Sequence, residues 1–326
     1  MILIVSQQLR NKIANSFPPA HVVRGKRNMK ILQAALTSGD DIIAKAIKSG
    51  EPKLIGRLGG TEARVLGCYL DTFKGKSLWD PFSTIFSLTT FFKRVRQLRD
   101  LSGVYPTNPK VIRRFVSEQI ATLSAVDVLG CWGSTFTWVE KYALRNEHTQ
   151  AVSHHLVAPW VEIFETSDKS SEPWSYALAG KKILVISGFS KSFKSQHERV
   201  ENVFPNTFYP KFQASFINAP ISLGGIDDGR TWVDHLERMK NEMESINFDV
   251  ALISAGAYAL PLAYHAKKLG KVGITCGGEL QLFFGVIGKR WEHMEKVTKY
   301  QNEYWVRPSE SERPANWREI ENGCYW

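Results

Sequence analysis

The sequence predicts an α/β fold, a mostly parallel sheet covered by helices on both faces, and three observations carry that reading. Apolar runs of strand length, such as Ile183-Leu184-Val185-Ile186, are uninterrupted by polar residues, as strands buried on both faces require. Each run ends in a turn of small residues, and each turn opens a segment of helical periodicity. The 326 residues, 43% apolar and 23% charged, also supply a large core, which excludes collagen-like, disulfide-scaffold and intrinsically disordered classes.

Taken in order, Met29 to Ser49 has apolar residues at helical spacing and reads as two helices separated at Gly39-Asp40, with Asp40 capping the second. Lys53-Leu54-Ile55-Gly56-Arg57 is a short strand, Gly59-Gly60-Thr61 its turn, and Glu62 to Leu70 a helix. Phe82 to Val104 is a basic and aromatic helix whose arginines form a solvated face. Asp127 to Gly130 is a strand running into a Cys131-Trp132-Gly133-Ser134 turn. The Ile183–Ile186 strand turns at Ser187-Gly188-Phe189-Ser190 into a helix containing Gln196 and Val200. Phe248 to Ile253 is a strand that turns at Ser254-Ala255-Gly256-Ala257 into a helix from Tyr258 to Leu269. Lys271 to Thr275 is the last strand and closes on Cys276-Gly277-Gly278-Glu279. No linker or repeat divides the chain, so residues 1–326 are expected to be a single α/β domain, with a helical N-terminal part (1–50) and a C-terminal extension (286–326).

Lys and Arg number 42 against 32 Asp and Glu, a formal charge of +10, which favours a polyanionic partner: nucleic acid, a phosphorylated small molecule or an anionic membrane. No nucleic-acid-binding motif accompanies the charge, and nucleic acid is not expected as a partner. The four cysteines lie far apart, without CxxC or nearby histidines, and read as thiols in a reducing compartment rather than zinc ligands. The N-terminal apolar run is only five residues long and no stretch reaches the roughly 18 to 20 apolar residues of a membrane span, so a cytoplasmic protein is expected.

In an open parallel sheet, ligands bind beyond the carboxyl ends of the strands, so the four turns should converge on one site. Glycine turns admit close backbone approach, and the helix termini that follow add partial positive charge, which together suit a phosphate. None of the turns matches GxGxxG or the P-loop, and no GxSxG elbow is present. Glu62, at a helix start, could hold a divalent metal, act as a general base, or favour the helix N-terminus electrostatically. Arg57 at the strand end has the fork geometry to bind phosphate, or to pair with Glu62. Lys289 and Arg290 could clamp a diphosphate while Trp291 stacks on a base or sugar; the alternative is a buried indole beside an exposed basic pair.

Three stretches, Leu54-Ile55-Gly56-Arg57-Leu58-Gly59-Gly60-Thr61-Glu62, Ser254 to Leu262, and Gly277 to Gly285, resemble the GT-D class of bacterial glycosyltransferases. The resemblance extends from about Ile42 to Trp326. It implies a Rossmann-like domain that transfers a sugar from a nucleotide-diphosphate donor in surface polysaccharide or glycoprotein assembly; a UDP- or GDP-linked donor and a glycan or lipid-linked acceptor are expected, and the positive charge outside the site is expected to face the anionic inner surface of a membrane. Arg57 and Glu62 match the Arg and Glu of the family's RFGDGE-like stretch, whose Asp-x-Glu element is associated with metal and donor; Gly60 stands where the family has Asp. Mg²⁺ or Mn²⁺ would then rest on Glu62 and the diphosphate oxygens. Taking the residues and the resemblance together, the expected donor-binding residues are Arg57, Gly59, Gly60, Ser254, Gly256, Gly277, Gly278, Lys289 and Arg290, and the expected catalytic carboxylates Glu62 and Glu279. A scaffold that binds nucleotide without catalysis is the alternative that the missing Asp leaves open.

Overall fold

The computed structural model describes residues 39–73, 81–132, 137–153, 157, 172–205, 209–223 and 228–326. The first helix expected in Met29–Ser49, the His154-His155 pair, and Gly133 and Ser134 lie outside them.

Helix α1 (Gly39–Ser49) carries Asp40 within its first turn rather than ahead of it. Strand β1 (Lys53–Arg57) leads to α2 (Gly60–Phe73), and α3 (Pro81–Ser102) packs along α2. Helix α4 (Pro109–Leu123) is not among the expected elements, although its start is marked in the sequence: Pro109 opens the first turn and the Asn108 side chain accepts from the amides of Lys110 and Val111, both at 3.0 Å. Then come β2 (Val128–Cys131), α5 (Thr137–Ala143), β3 (Gln150–Ser153) and β4 (Lys182–Ser187). The helical run after β4 is divided into α6 (Ser190–His197) and α7 (Val200–Val203). Strand β5 (Gln213–Asn218) precedes α8 (Trp232–Glu244), whose Thr231 and Asp234 form a reciprocal capping box. Strand β6 (Val250–Ser254) passes through a single 3₁₀ turn into α9 (Ala259–Lys268), followed by β7 (Val272–Thr275) and the short α10 (Leu280–Phe283) and α11 (Glu295–Thr298).

Among the described residues seven strands form one parallel sheet, in the order β3-β2-β1-β7-β6-β4-β5. The fold is α/β, as the apolar runs predict, and Rossmann-like, as the resemblance implies. Alternation along β4 shows why its four inner residues are all apolar: Leu184 and Ile186 belong to a core with α2, α3, α4, α8 and α9, while Ile183 and Val185 belong to a second core with α1, α6 and the aromatic residues of the C-terminal segment. Gly273 shows how close this packing is, since a Cβ there would lie 2.2 Å from the Ala263 carbonyl oxygen of α9. Burying these strands on both faces supplies the main driving force, about 25 cal/mol per Å² of apolar surface.

The order of the strands also sets the site. From β1 the chain runs outward through β2 and β3, starts again at β4 and β5, and returns inward through β6 and β7 until β7 pairs with β1. The two halves therefore meet at β1 and β7, and a crevice opens above their carboxyl ends.

Candidate functional site

A cleft of about 510 Å³ lies there, and the described residues that line it include ones that follow β1, β2, β4, β5, β6 and β7. Its size is within the range of small-molecule sites. Of the site residues expected from the sequence, Lys289 and Trp291 do not line it, whereas Arg57, Gly59, Gly60, Glu62, Ser254, Gly256, Gly277, Gly278, Glu279 and Arg290 are brought together.

At its centre Arg57 ends β1, its amide held by the Thr275 hydroxyl of β7 at 2.9 Å. The guanidinium pairs with Glu279, Nη2 to Oε2 at 2.9 Å, rather than forming a close ion pair with Glu62. The Trp132 indole lies 5.9 Å from the guanidinium carbon. Gly277, at φ +65°, makes this pair possible, because a Cβ there would stand 1.9 Å from Arg57 Nη2. Trp132 is itself fastened: its ring N–H donates to the Leu58 carbonyl at 2.8 Å and its amide to Glu140 at 2.6 Å. The sequence places Trp132 in a strand-end turn but gives no sign of its reach to Arg57.

Glu62, in the first turn of α2, turns its carboxylate back over Gly59, whose Cβ would lie 2.1 Å from Oε2. Burial pushes the carboxyl above the usual glutamate range; hydrogen bonds from its own amide and from Ser102, and the charge of Arg57, oppose the shift without cancelling it. Ser102, the last residue of α3, is far from Glu62 in sequence, and no local pattern announces it. The same end of α3 meets the β6 turn: Gly256, at φ +50°, would place a Cβ 3.1 Å from the Ser102 carbonyl oxygen.

The C-terminal segment closes the far wall. Residues after α10 run out through a bridge between Val286 and Val306 and return so that Tyr325 and Trp326 border the cleft. Arg290 pairs with Glu321 and lies 4.6 Å from the Tyr325 ring. Its amide donates to the Cys324 carbonyl at 2.9 Å. Burial pushes the Tyr325 hydroxyl up to about 12, a shift the Arg290 charge moderates but does not offset.

Two expectations change. Lys289 and Trp291 do not serve the cleft as a clamp and a stacking platform: Lys289 is exposed and borders a separate hollow of about 310 Å³ with Glu292 and Arg307, and Trp291 is a core residue, 3% exposed. One residue of the basic pair points each way because successive positions diverge around the turn that carries them. The turn after β4 also has a different use. At the N-terminus of α6 the amides of Lys191 and Ser192 donate to Glu312 Oε1 at 2.8 and 3.2 Å, and the Ser192 hydroxyl donates to Oε2. A buried carboxylate from the C-terminal segment thus occupies the anion position that this helix would otherwise offer a phosphate. The turns after β1, β6 and β7 remain open to a ligand.

Comparison with curated proteins and with solved structures gives no match. The family model described as a GT-D fold-like domain matches residues 41–283, from α1 through the β7 turn to α10, well over half of the chain and the whole sheet. The parallel sheet, the junction of β1 with β7 and the match across both agree, and the chain belongs to the GT-D-like family.

Proposed function

We propose that the chain is a glycosyltransferase that takes a UDP- or GDP-linked sugar and transfers it to a glycan or lipid-linked acceptor in surface polysaccharide or glycoprotein assembly. The observation that carries this reading is the meeting of Arg57, Glu62 and Glu279 with the glycine turns after β1, β6 and β7 in one cleft. In the transfer, the acceptor hydroxyl oxygen forms a bond to the anomeric carbon, the bond from that carbon to the diphosphate oxygen breaks, and the diphosphate leaves with the electron pair. Negative charge grows on the leaving group, so its stabilisation is the main demand. Arg57 can exchange the Glu279 carboxylate for a diphosphate oxygen, with Arg290 and the amides at Gly256 and Gly278 around it. Glu62, whose burial raises its proton affinity, is the better-suited carboxylate to receive the hydroxyl proton.

The family's Asp-x-Glu element implies Mg²⁺ or Mn²⁺, and the residues present do not suit either ion. Gly60 offers no side-chain oxygen, burial opposes the charged form of Glu62 that a cation would need, and Glu279 is engaged by Arg57. Among the described residues no group of three or more His, Cys, Asp or Glu could hold a metal. We therefore assign the leaving-group charge to Arg57, Arg290 and backbone amides.

Incubation with UDP- and GDP-sugars, with Mn²⁺ and with a chelator, tests this directly. Slow donor hydrolysis at equal rates in both conditions is expected. A rate that depends on Mn²⁺ would overturn the metal-independent assignment. Nucleotide binding without hydrolysis or transfer of any donor would favour the second reading, a non-catalytic nucleotide-binding scaffold, for which Gly60 in place of Asp is the specific observation.

A further inference from the structure

Helix α3 carries a surface that the donor chemistry does not use. Its inner face is buried through Phe91, Val95 and Leu98, and its outer face presents Phe92, Lys93, Arg96 and Arg99. From Pro81 to Arg99 the helix contains no acidic residue, and Asp100, the first, is taken by Arg99 at 2.7 Å. Lys93 and Arg96 are exposed and form no ion pair among the described residues. Phe92 is 57% exposed, with its ring edge-on to buried Phe91 at a centroid distance of 5.9 Å, so it stands out from the helix on a firm base. A single exposed aromatic residue is ordinary. An aromatic ring set beside exposed cations on one helical face is the arrangement that gains both from anionic headgroups and from the acyl boundary beneath them.

The position of this face relative to the site is the second observation. Leu101 and Ser102 at the end of α3 line the cleft, and Ser102 hydrogen-bonds Glu62. At about 1.5 Å rise per residue, Phe92 stands roughly 14 Å along the axis from Leu101. A body held by Phe92 and its flanking cations would therefore keep the cleft close to the headgroup layer.

We infer that the outer face of α3 docks the protein on an anionic membrane surface, with the cleft beside it. Nucleic acid would reward the same cations, but the amide on this stretch that could read a base edge, Gln97, is engaged by Arg94 at 2.8 Å. Lipid binding is measured without turnover, so the inference stands or falls apart from the transferase reading.

Co-sedimentation with vesicles of equimolar phosphatidylcholine and phosphatidylglycerol, and with phosphatidylcholine alone, is the test. The chain is expected to bind only the anionic vesicles, Lys93→Ala with Arg96→Ala to weaken binding about thirty-fold, and Phe92→Ser about ten-fold. All three positions are exposed, so unchanged melting will confirm that the variants are folded. Failure of the parent chain to bind anionic vesicles, or equal binding by folded variants, would overturn the inference. Tighter binding to a duplex oligonucleotide than to vesicles, lost in the same variants, would overturn it too and assign the face to nucleic acid.

Discussion

Glu62 shows how one residue can satisfy two demands that the sequence presents as alternatives. Its carboxylate receives its own amide at the start of α2, as a helix-terminal acid does, and it also faces the cleft beside Ser102 and Arg57. The two roles separate by experiment. Because burial raises the carboxyl above the usual range, the folded state binds this proton more tightly than the unfolded state does. The associated stability is fully present below the unfolded value and is lost as pH rises through the folded one. Glu62→Gln should therefore flatten the pH dependence of stability and leave the melting temperature at neutral pH unchanged or higher, while lowering transfer by about 10²–10⁴-fold. The parent's activity should rise with pH through a midpoint above that of an ordinary glutamate. A variant that keeps its activity but melts earlier would reduce Glu62 to a helix-terminal residue. Arg57, Glu62 and Glu279 are legible as candidates because a strand end and two glycine turns put them in view. Their pairing is not, since Arg57 with Glu279 spans most of the chain and depends on the absent side chain of Gly277.

Among the strands and helices, legibility follows burial. Strands β1, β4, β6 and β7 are flanked by partner strands on both sides and have apolar or glycine interiors with polar residues only at their ends, and their limits agree with the sequence reading to within a residue or two. Strands β3 and β5, outermost among the described residues, escape that reading because only Val152 and Ile217 in them are buried, and Gln150-Ala151-Val152-Ser153 and Gln213 to Asn218 mix polar with apolar residues as outer strands do. Helix α6 teaches the reverse lesson, that a turn can look open in sequence and be filled in space. Glu312 reaches its N-terminus from 120 positions away. Glu312→Ala would leave two helix-end amides and a hydroxyl without their acceptor, and should cost about 2–3 kcal/mol of stability. The emptied helix end is then a free anion site, so sulfate should restore melting temperature to the variant by more than it raises that of the parent at the same ionic strength. Equal responses in the two proteins would show that the carboxylate does not stand in for an oxyanion.

Taken across the chain, the +10 charge has a divided explanation rather than a single one. Arg57 and Arg290 border the cleft, Lys93 and Arg96 lie on the outer face of α3, and others, such as Lys267 with Asp127 at 2.7 Å, are used within the fold. Only the cleft-bound share should respond to a nucleotide. If the diphosphate takes Arg57 from Glu279, UDP or GDP at about one hundred times its dissociation constant should stabilise the folded chain by about 2.7 kcal/mol, visible as a rise in melting temperature. Arg57→Lys keeps the charge but loses the planar fork that meets Glu279 and would meet two phosphate oxygens, so most of that rise should vanish although net charge is unchanged. Lys93→Ala with Arg96→Ala removes more charge and should leave the rise intact. A nucleotide response that tracked net charge, falling in the α3 variant and surviving in Arg57→Lys, would mean that the cleft attracts anions only through the general field of a basic protein.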